Sequence, residues 1–218
     1  MNDNPALLLL MTAIGLYVMQ MWRQDYLAAK SGQPNPGALP GASPASLKAC
    51  LIAAAGALII LAVETTGEIH LGISDEQSTM TVFFGFYTLM AAFIEELIFR
   101  GYIVVEGRSK LLRWAGIVGA SGLFAALHPF LWEWDMGESP GWQAFLVWRW
   151  DEWLSLTLTP KGWFSTIIVF VSSLWFYVVR FASFNPHRSL LPSVVAHATK
   201  NLGVFFVKLA QGFIVGWA

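Results

Sequence analysis

Long uncharged runs separated by short charged connections dominate the chain. Pro5 to Trp22 carries no charge, Leu47 to Val63 has only Lys48 at its start, and Gln77 to Ile94 is uncharged until it meets Glu95-Glu96. Downstream, Trp114 to Trp132 contains His128, Gly162 to Val179 is uncharged, and Leu190 to about Gly216 is interrupted by His197, Lys200 and Lys208. A helix needs about 20 mainly apolar residues to cross the hydrocarbon of a bilayer. The pattern therefore predicts an all-α fold, a polytopic membrane helix bundle of about six transmembrane helices. The first run is read as a span and not as a signal peptide, because its leader holds Asp3 and no basic residue, and no A-x-A-like site follows.

The connections alternate in sign. Arg23 to Lys48 carries +2, Glu64 to Glu76 carries −4, Glu106 to Arg113 carries +2, Glu133 to Lys161 carries −3, and Arg180 with Arg188 gives +2. Basic connections stay in the cytoplasm. The expected topology thus has the first, third and fifth connections inside and both termini outside, in what is expected to be a bacterial inner membrane. Gly32 to Pro44, rich in Pro and Gly, reads as a mobile cytoplasmic linker. Residues 1–78 form an N-terminal unit of two helices and this linker; residues 79–218 form the core, its last four helices bearing the chemistry. Within the core, 133–161 is an insert holding Trp134, Trp142, Trp148, Trp150 and Trp153 among acids, which suits an amphipathic piece in the outer interface.

Composition narrows the function. The chain is 56% apolar and 12% charged, with a mean hydropathy of +0.57, against about 25% charged for soluble domains. The lipid bilayer is its solvent. A formal net charge of −1 excludes a nucleic-acid partner, which demands a basic surface to displace counterions. A single cysteine, Cys50, excludes an intramolecular disulfide and any multi-cysteine metal site; in its apolar run it reads as a small buried hydrophobe.

Ionisable groups inside membrane helices are costly and mark protein-lined or water-lined sites. Three clusters qualify. In Glu95-Glu96-Leu97-Ile98-Phe99-Arg100, expected on a helix that continues to Val105, Glu96 and Arg100 are four apart and can pair along one face. Glu95 points about 100° away, so one carboxylate is structural and the other free for chemistry. In Phe124-Ala125-Ala126-Leu127-His128, Phe124 walls the space beside His128; in His197-Ala198-Thr199-Lys200-Asn201, an imidazole and a carboxamide share a face. Each motif is expected in a helix interior. A carboxylate, two imidazoles and an amide suffice to activate a water and bind a tetrahedral oxyanion. Along its own helix, His128 is expected roughly 10 Å deeper than Glu95 and His197, an offset for tilt or a re-entrant stretch to absorb.

The ordered pattern E-E-x-x-x-R, F-x-x-x-H and H-x-x-x-N, on Glu95-Glu96 with Arg100, Phe124 with His128, and His197 with Asn201, resembles the CPBP intramembrane proteases, which include the type II CAAX prenyl endopeptidases. The resemblance spans roughly Thr79 to Val207, with Ser189 to Ser193 leading into the third motif. It implies peptide-bond hydrolysis in a membrane-embedded or lipid-proximal peptide or protein substrate. Glu95 and His128 would activate water, His197 and Asn201 would stabilise the oxyanion, and Glu96, Arg100 and Phe124 would support them. The insert between the second and third motifs is longer than the family core requires.

Other readings stay open. The same residues are an alternative three-ligand zinc site, although no H-E-x-x-H helix is present, Asn is an unusual ligand, and a mechanism without metal or other cofactor is preferred. A non-catalytic membrane peptide-binding or immunity protein would keep the fold, and a small transporter would be expected to show a repeat that is absent. Lys200 is not demanded by the pattern and reads as a snorkelling residue or a neutraliser of Glu96. His70 and His187 fall in connections and carry no signal.

The topology is testable with cysteines at Ser109 and Ser74 in a background lacking Cys50. An impermeant thiol reagent should label only position 74 in intact cells; labelling at 109 instead inverts the assignment.

Overall fold

The structure, a computed structural model, describes residues 5–103, 109–134 and 154–217. Its helices are α1 (Pro5–Lys30), α2 (Leu47–Leu71), α3 (Val82–Glu96), α4 (Lys110–Leu127), α5 (Pro160–Phe181) and α6 (Leu191–Gln211). A π-helical stretch, Leu97–Tyr102, continues α3, so this helix ends short of the expected Val105. The first five, with α3 taken through Tyr102, are long and apolar enough to cross a membrane. The sixth expected run is also a helix but is less apolar, because it carries His197, Lys200 and Lys208, all buried in the bundle. A short antiparallel pair, β1 (Trp132–Trp134) and β2 (Leu154–Leu156), sets Trp132 opposite Leu156. Residues 135–153 of the expected amphipathic insert, including Trp142, Trp148, Trp150 and Trp153, lie outside the described residues, as do Glu106 and Arg108.

Local chemistry sets the helix ends. Ser46, Thr81, Ser109 and Thr159 each accept a bond from the backbone N–H three residues on, satisfying donors that the first turn leaves orphaned. Pro160 opens α5, where a missing N–H costs nothing. Within the bundle α2 lies along α6 and α3 also packs on α6. The buried stripe Ala49, Ala53, Ala57 and Leu61 repeats every fourth residue and lets neighbouring helices approach closely. Gly56 extends this economy of volume: a Cβ there would stand 2.2 Å from the Trp175 ring of α5. Large apolar side chains such as Leu51, Ile59, Phe86 and Leu111 remain on the outer faces, where lipid is the solvent.

Two sequence expectations change. Glu64 and Glu68 do not belong to a connection, since α2 runs on to Leu71 and Glu68 is buried. The helix tolerates them because Lys200 of α6 pairs with Glu64, and Lys161 of α5 pairs with Glu68. Lys200 therefore neither snorkels nor neutralises Glu96. The Pro/Gly linker is pinned and not loose. The Trp22 indole donates to Pro40 O at 3.1 Å, Asp25 accepts from Asn35 and from Leu39 N, Leu190 N donates to Gly41 O at 2.9 Å, and Ser189 Oγ donates to Ser43 O. The linker is a strap across the ends of α3, α5 and α6.

Gly41 shows how tightly the strap sits. Its φ is +64°, and a Cβ would lie 2.8 Å from both Arg180 Nη1 and Leu190 Cβ, whereas Gly32, at φ +82°, has open space around it. Gly32→Ala should cost only the left-handed strain that a Cβ introduces, about 1–2 kcal/mol. Gly41→Ala should add an overpacking cost of about 1–3 kcal/mol and lower the Tm further. Equal Tm shifts for the two variants would mean that the strap is undocked.

Candidate functional site

The site is built around the end of α3. Glu96 and Arg100 are both 0% exposed and pair at 3.0 Å through Nη1 and Oε1, the i,i+4 contact that their spacing predicts. Arg100 is held further by the backbone and hydroxyl oxygens of Ser173, accepting at 3.1 and 2.5 Å, and lies over the rings of Phe124 and Tyr177. Tyr177 in turn donates to Phe99 O at 2.6 Å. An isolated buried guanidinium would be costly; a carboxylate, a serine and aromatic faces offset that cost.

The same Glu96 oxygen takes a second partner absent from the sequence reading: His197 Nδ1, 2.9 Å away. A carboxylate paired with Arg100 only accepts, so Nδ1 carries the proton and donates. The imidazole is fixed by stacking on Phe176 at 4.7 Å and by the edge of Phe124 at 6.0 Å. Its Nε2 then faces Glu95 Oε2 at 3.8 Å. Glu95 differs from Glu96 as its position one residue earlier demands: its side chain is 34% exposed. It opens into a cavity of about 150 Å³ between α1 and α3, whose other lining residues include Met11, Tyr87, Met90 and Ile94.

His128 corrects the expectation of a helix-interior residue. It caps α4 with extended backbone, φ −80° and ψ 126°, because Pro129 disfavours helical geometry in the residue before it. Its Nδ1 lies 2.8 Å from Phe124 O; a carbonyl can only accept, so this nitrogen also bears the proton and Nε2 is left as an acceptor in the neutral ring. The depth offset resolves because the final turn of α4, and not its middle, meets the site: Phe124 touches His128 at 4.7 Å, His197 at 6.0 Å and the Arg100 guanidinium at 4.6 Å.

The structure thus brings Glu95, Glu96, Arg100, Phe124 and His197 together and sets His128 against the far side of this group through Phe124. Asn201 shares the face of His197, but its Nδ2 donates to Thr88 O of α3 at 3.0 Å, which uses one of two amide hydrogens and leaves the other. Sequence reasoning misses Ser173, Phe176 and Tyr177 as supports; the Ser172-Ser173 pair inside an otherwise apolar span is the available signal. Among the described residues no group of three or more His, Cys, Asp or Glu side chains is placed to hold a metal ion. Both Nδ1 atoms are committed to protein acceptors, which leaves the two Nε2 atoms as the ring nitrogens open to a water, a substrate or a metal.

What the arrangement offers is a partly open carboxylate beside one imidazole, His197, with a second imidazole, His128, across the Phe124 ring and an amide on the helix face of His197, all inside an apolar bundle. Comparison with known proteins agrees in kind. The family model described as type II CAAX prenyl endopeptidase Rce1-like matches residues 77–203, more than half of the chain and all three motifs. No curated protein and no solved structure matches significantly. With its membrane-length helices, its three motifs and this match, the chain is an integral membrane protein that belongs to the type II CAAX prenyl endopeptidase Rce1-like family, whose activity is that of a CAAX-type intramembrane endopeptidase.

Proposed function

We propose that the protein hydrolyses a peptide bond in a membrane-embedded or lipid-proximal polypeptide, with Glu95 as the general base and no metal. The observation that carries this reading is the division of labour in the glutamate pair. Glu96 is wholly buried on Arg100 and His197, while Glu95 is open to a cavity and, among the described residues, pairs with the far nitrogen of His197.

In this reading Glu95 takes a proton from a water that His128 Nε2 helps to orient, and the resulting hydroxide adds to the scissile carbonyl carbon. The negative charge moves to the carbonyl oxygen, where the remaining N–H of Asn201 and His197 Nε2–H, in the imidazolium form, donate to it. Glu96 holds Nδ1 and Phe176 stacks on the ring, which supports His197 in that task. Glu95 then returns its proton to the amine nitrogen as the C–N bond breaks, which restores the carboxylate. The apolar walls keep bulk water from competing for these hydrogen bonds.

Glu95→Gln should retain the fold and cut cleavage by about 10² to 10⁴-fold. His128→Ala should do likewise, and Asn201→Ala should raise the barrier by about 2.7 to 4 kcal/mol. Glu96→Gln should behave otherwise, losing about 3 to 5 kcal/mol of stability together with activity, because Arg100 and His197 both lose an anionic partner in a buried site. Parallel measurement of cleavage and melting decides the assignment. A folded, inactive Glu96→Gln beside an active Glu95→Gln reverses the two roles, and a protein that binds peptides but never cleaves them is a binder.

Activity should also survive exhaustive chelation, and the purified protein should hold no stoichiometric zinc. One tightly held zinc, with activity lost on its removal and regained on its return, removes Glu95 as the sole activator of water.

A further inference from the structure

A second and larger cavity, of about 560 Å³, lies where α2, α4 and α6 end and α3 and α5 begin. It contains none of Glu95, His128, His197 or Asn201, yet it adjoins one of them: Phe130 in its wall stacks on His128 with centroids 6.0 Å apart. Its wall joins apolar side chains, Leu61, Val169 and Val204 among them, to charged ones, of which Glu76 and Glu133 are exposed. Two of the four carboxylates in its wall are already neutralised, Glu64 by Lys200 and Glu68 by Lys161. Glu76 and Glu133 have no ion-pair partner among the described residues, and the remaining ammonium, Lys208, is turned onto Ser78. Ser165, 7% exposed, sits in the wall between Lys161 and Val169, one turn from each, and its hydroxyl has no hydrogen-bond partner among the described residues. That hydroxyl can bond a polar group that enters the cavity.

We infer that this cavity is a specificity subsite for a basic residue of the substrate polypeptide. The aliphatic stem of a lysine, or an apolar neighbour, lies against the apolar side chains; the cationic head meets Glu76 and Glu133; and a backbone or side-chain group of the peptide bonds the Ser165 hydroxyl. The inference rests on the proposed endopeptidase reading and adds a distance to it. Val204 follows His197 by seven residues on α6, a rise of about 10 Å. An extended peptide covers that in about three residues, so the basic residue stands about three positions from the scissile bond.

Binding to the Glu95→Gln variant, in nanodiscs of zwitterionic lipid, tests this independently of turnover. The probes are fluorescent Leu/Ala-rich peptides that are identical except for two lysines, two norleucines or two glutamates at one end. The lysine peptide should bind about tenfold more tightly than the norleucine peptide at low salt, and added salt should erode the difference. Glu76→Gln with Glu133→Gln should abolish the preference without lowering the Tm, since both side chains are exposed. Equal affinity for lysine and norleucine peptides, tighter binding of the glutamate peptide, or a preference that survives the double substitution overturns the subsite. If the lysine preference holds while the wild-type protein cleaves none of the peptides, the subsite stands and the cleavage reading falls; cleavage with no lysine preference removes the subsite and leaves the cleavage reading in place.

Discussion

One oxygen atom organises the centre of this protein. Glu96 Oε1 accepts from Arg100 Nη1 at 3.0 Å and from His197 Nδ1 at 2.9 Å, and thereby ties the end of α3 to α6 in the middle of an apolar bundle. A carboxylate that has left water needs such partners, because desolvation otherwise outweighs its hydrogen bonds. The partners it recruits bring others with them. Arg100 draws Ser173 and Tyr177 of α5 inward and presents its face to Phe124 of α4, while His197 settles against Phe176. Four helices are thus fixed relative to a single buried anion, and the orientation of the His197 ring follows from it.

This arrangement explains how adjacent glutamates have different chemistry. Helical geometry sends neighbouring side chains to different faces, so the burial of Glu96 does not bury Glu95. The structural carboxylate and the open carboxylate are separated by one peptide bond, which places a partly exposed acid beside a rigid imidazole without any loop having to hold it there. Sites on rigid elements keep their geometry better than sites on loops.

Much of this is legible in the chain. Run lengths give the helices, and the four-residue spacing of Glu96 and Arg100 gives their pair, because such information is local. Periodicity does not show that His197 chooses Glu96, since 101 positions separate them. Nor does it show that Lys200 and Lys161 claim Glu64 and Glu68. A hydropathy reading ends α2 at the first acid, whereas the fold carries it on to Leu71 because bases on other helices neutralise the charge. The motif finds His128, but an uninterrupted apolar run misplaces it in a helix interior; Pro129, the next residue, is the local signal that α4 ends there. The strap is misread for a related reason. Composition reports that Gly32 to Pro44 cannot form a helix, yet it does not report that Trp22, Asp25, Ser189 and Leu190 bind the backbone there.

The strap and α2 also bear on where the protein is divisible. Residues 77–203 are the part that is recognisably shared with the family, but the free energy is not partitioned at the same place. Glu64 and Glu68 lie before that segment and neutralise Lys200 and Lys161 within it, and Gly41 lies before it while seating Leu190 and Arg180. Excising the shared segment would strand two ammonium groups in an apolar bundle and uncover the ends of α5 and α6. Ancestry and cooperativity therefore draw different borders on this chain, and the N-terminal residues are scaffold for the shared ones as much as they are an extension of them.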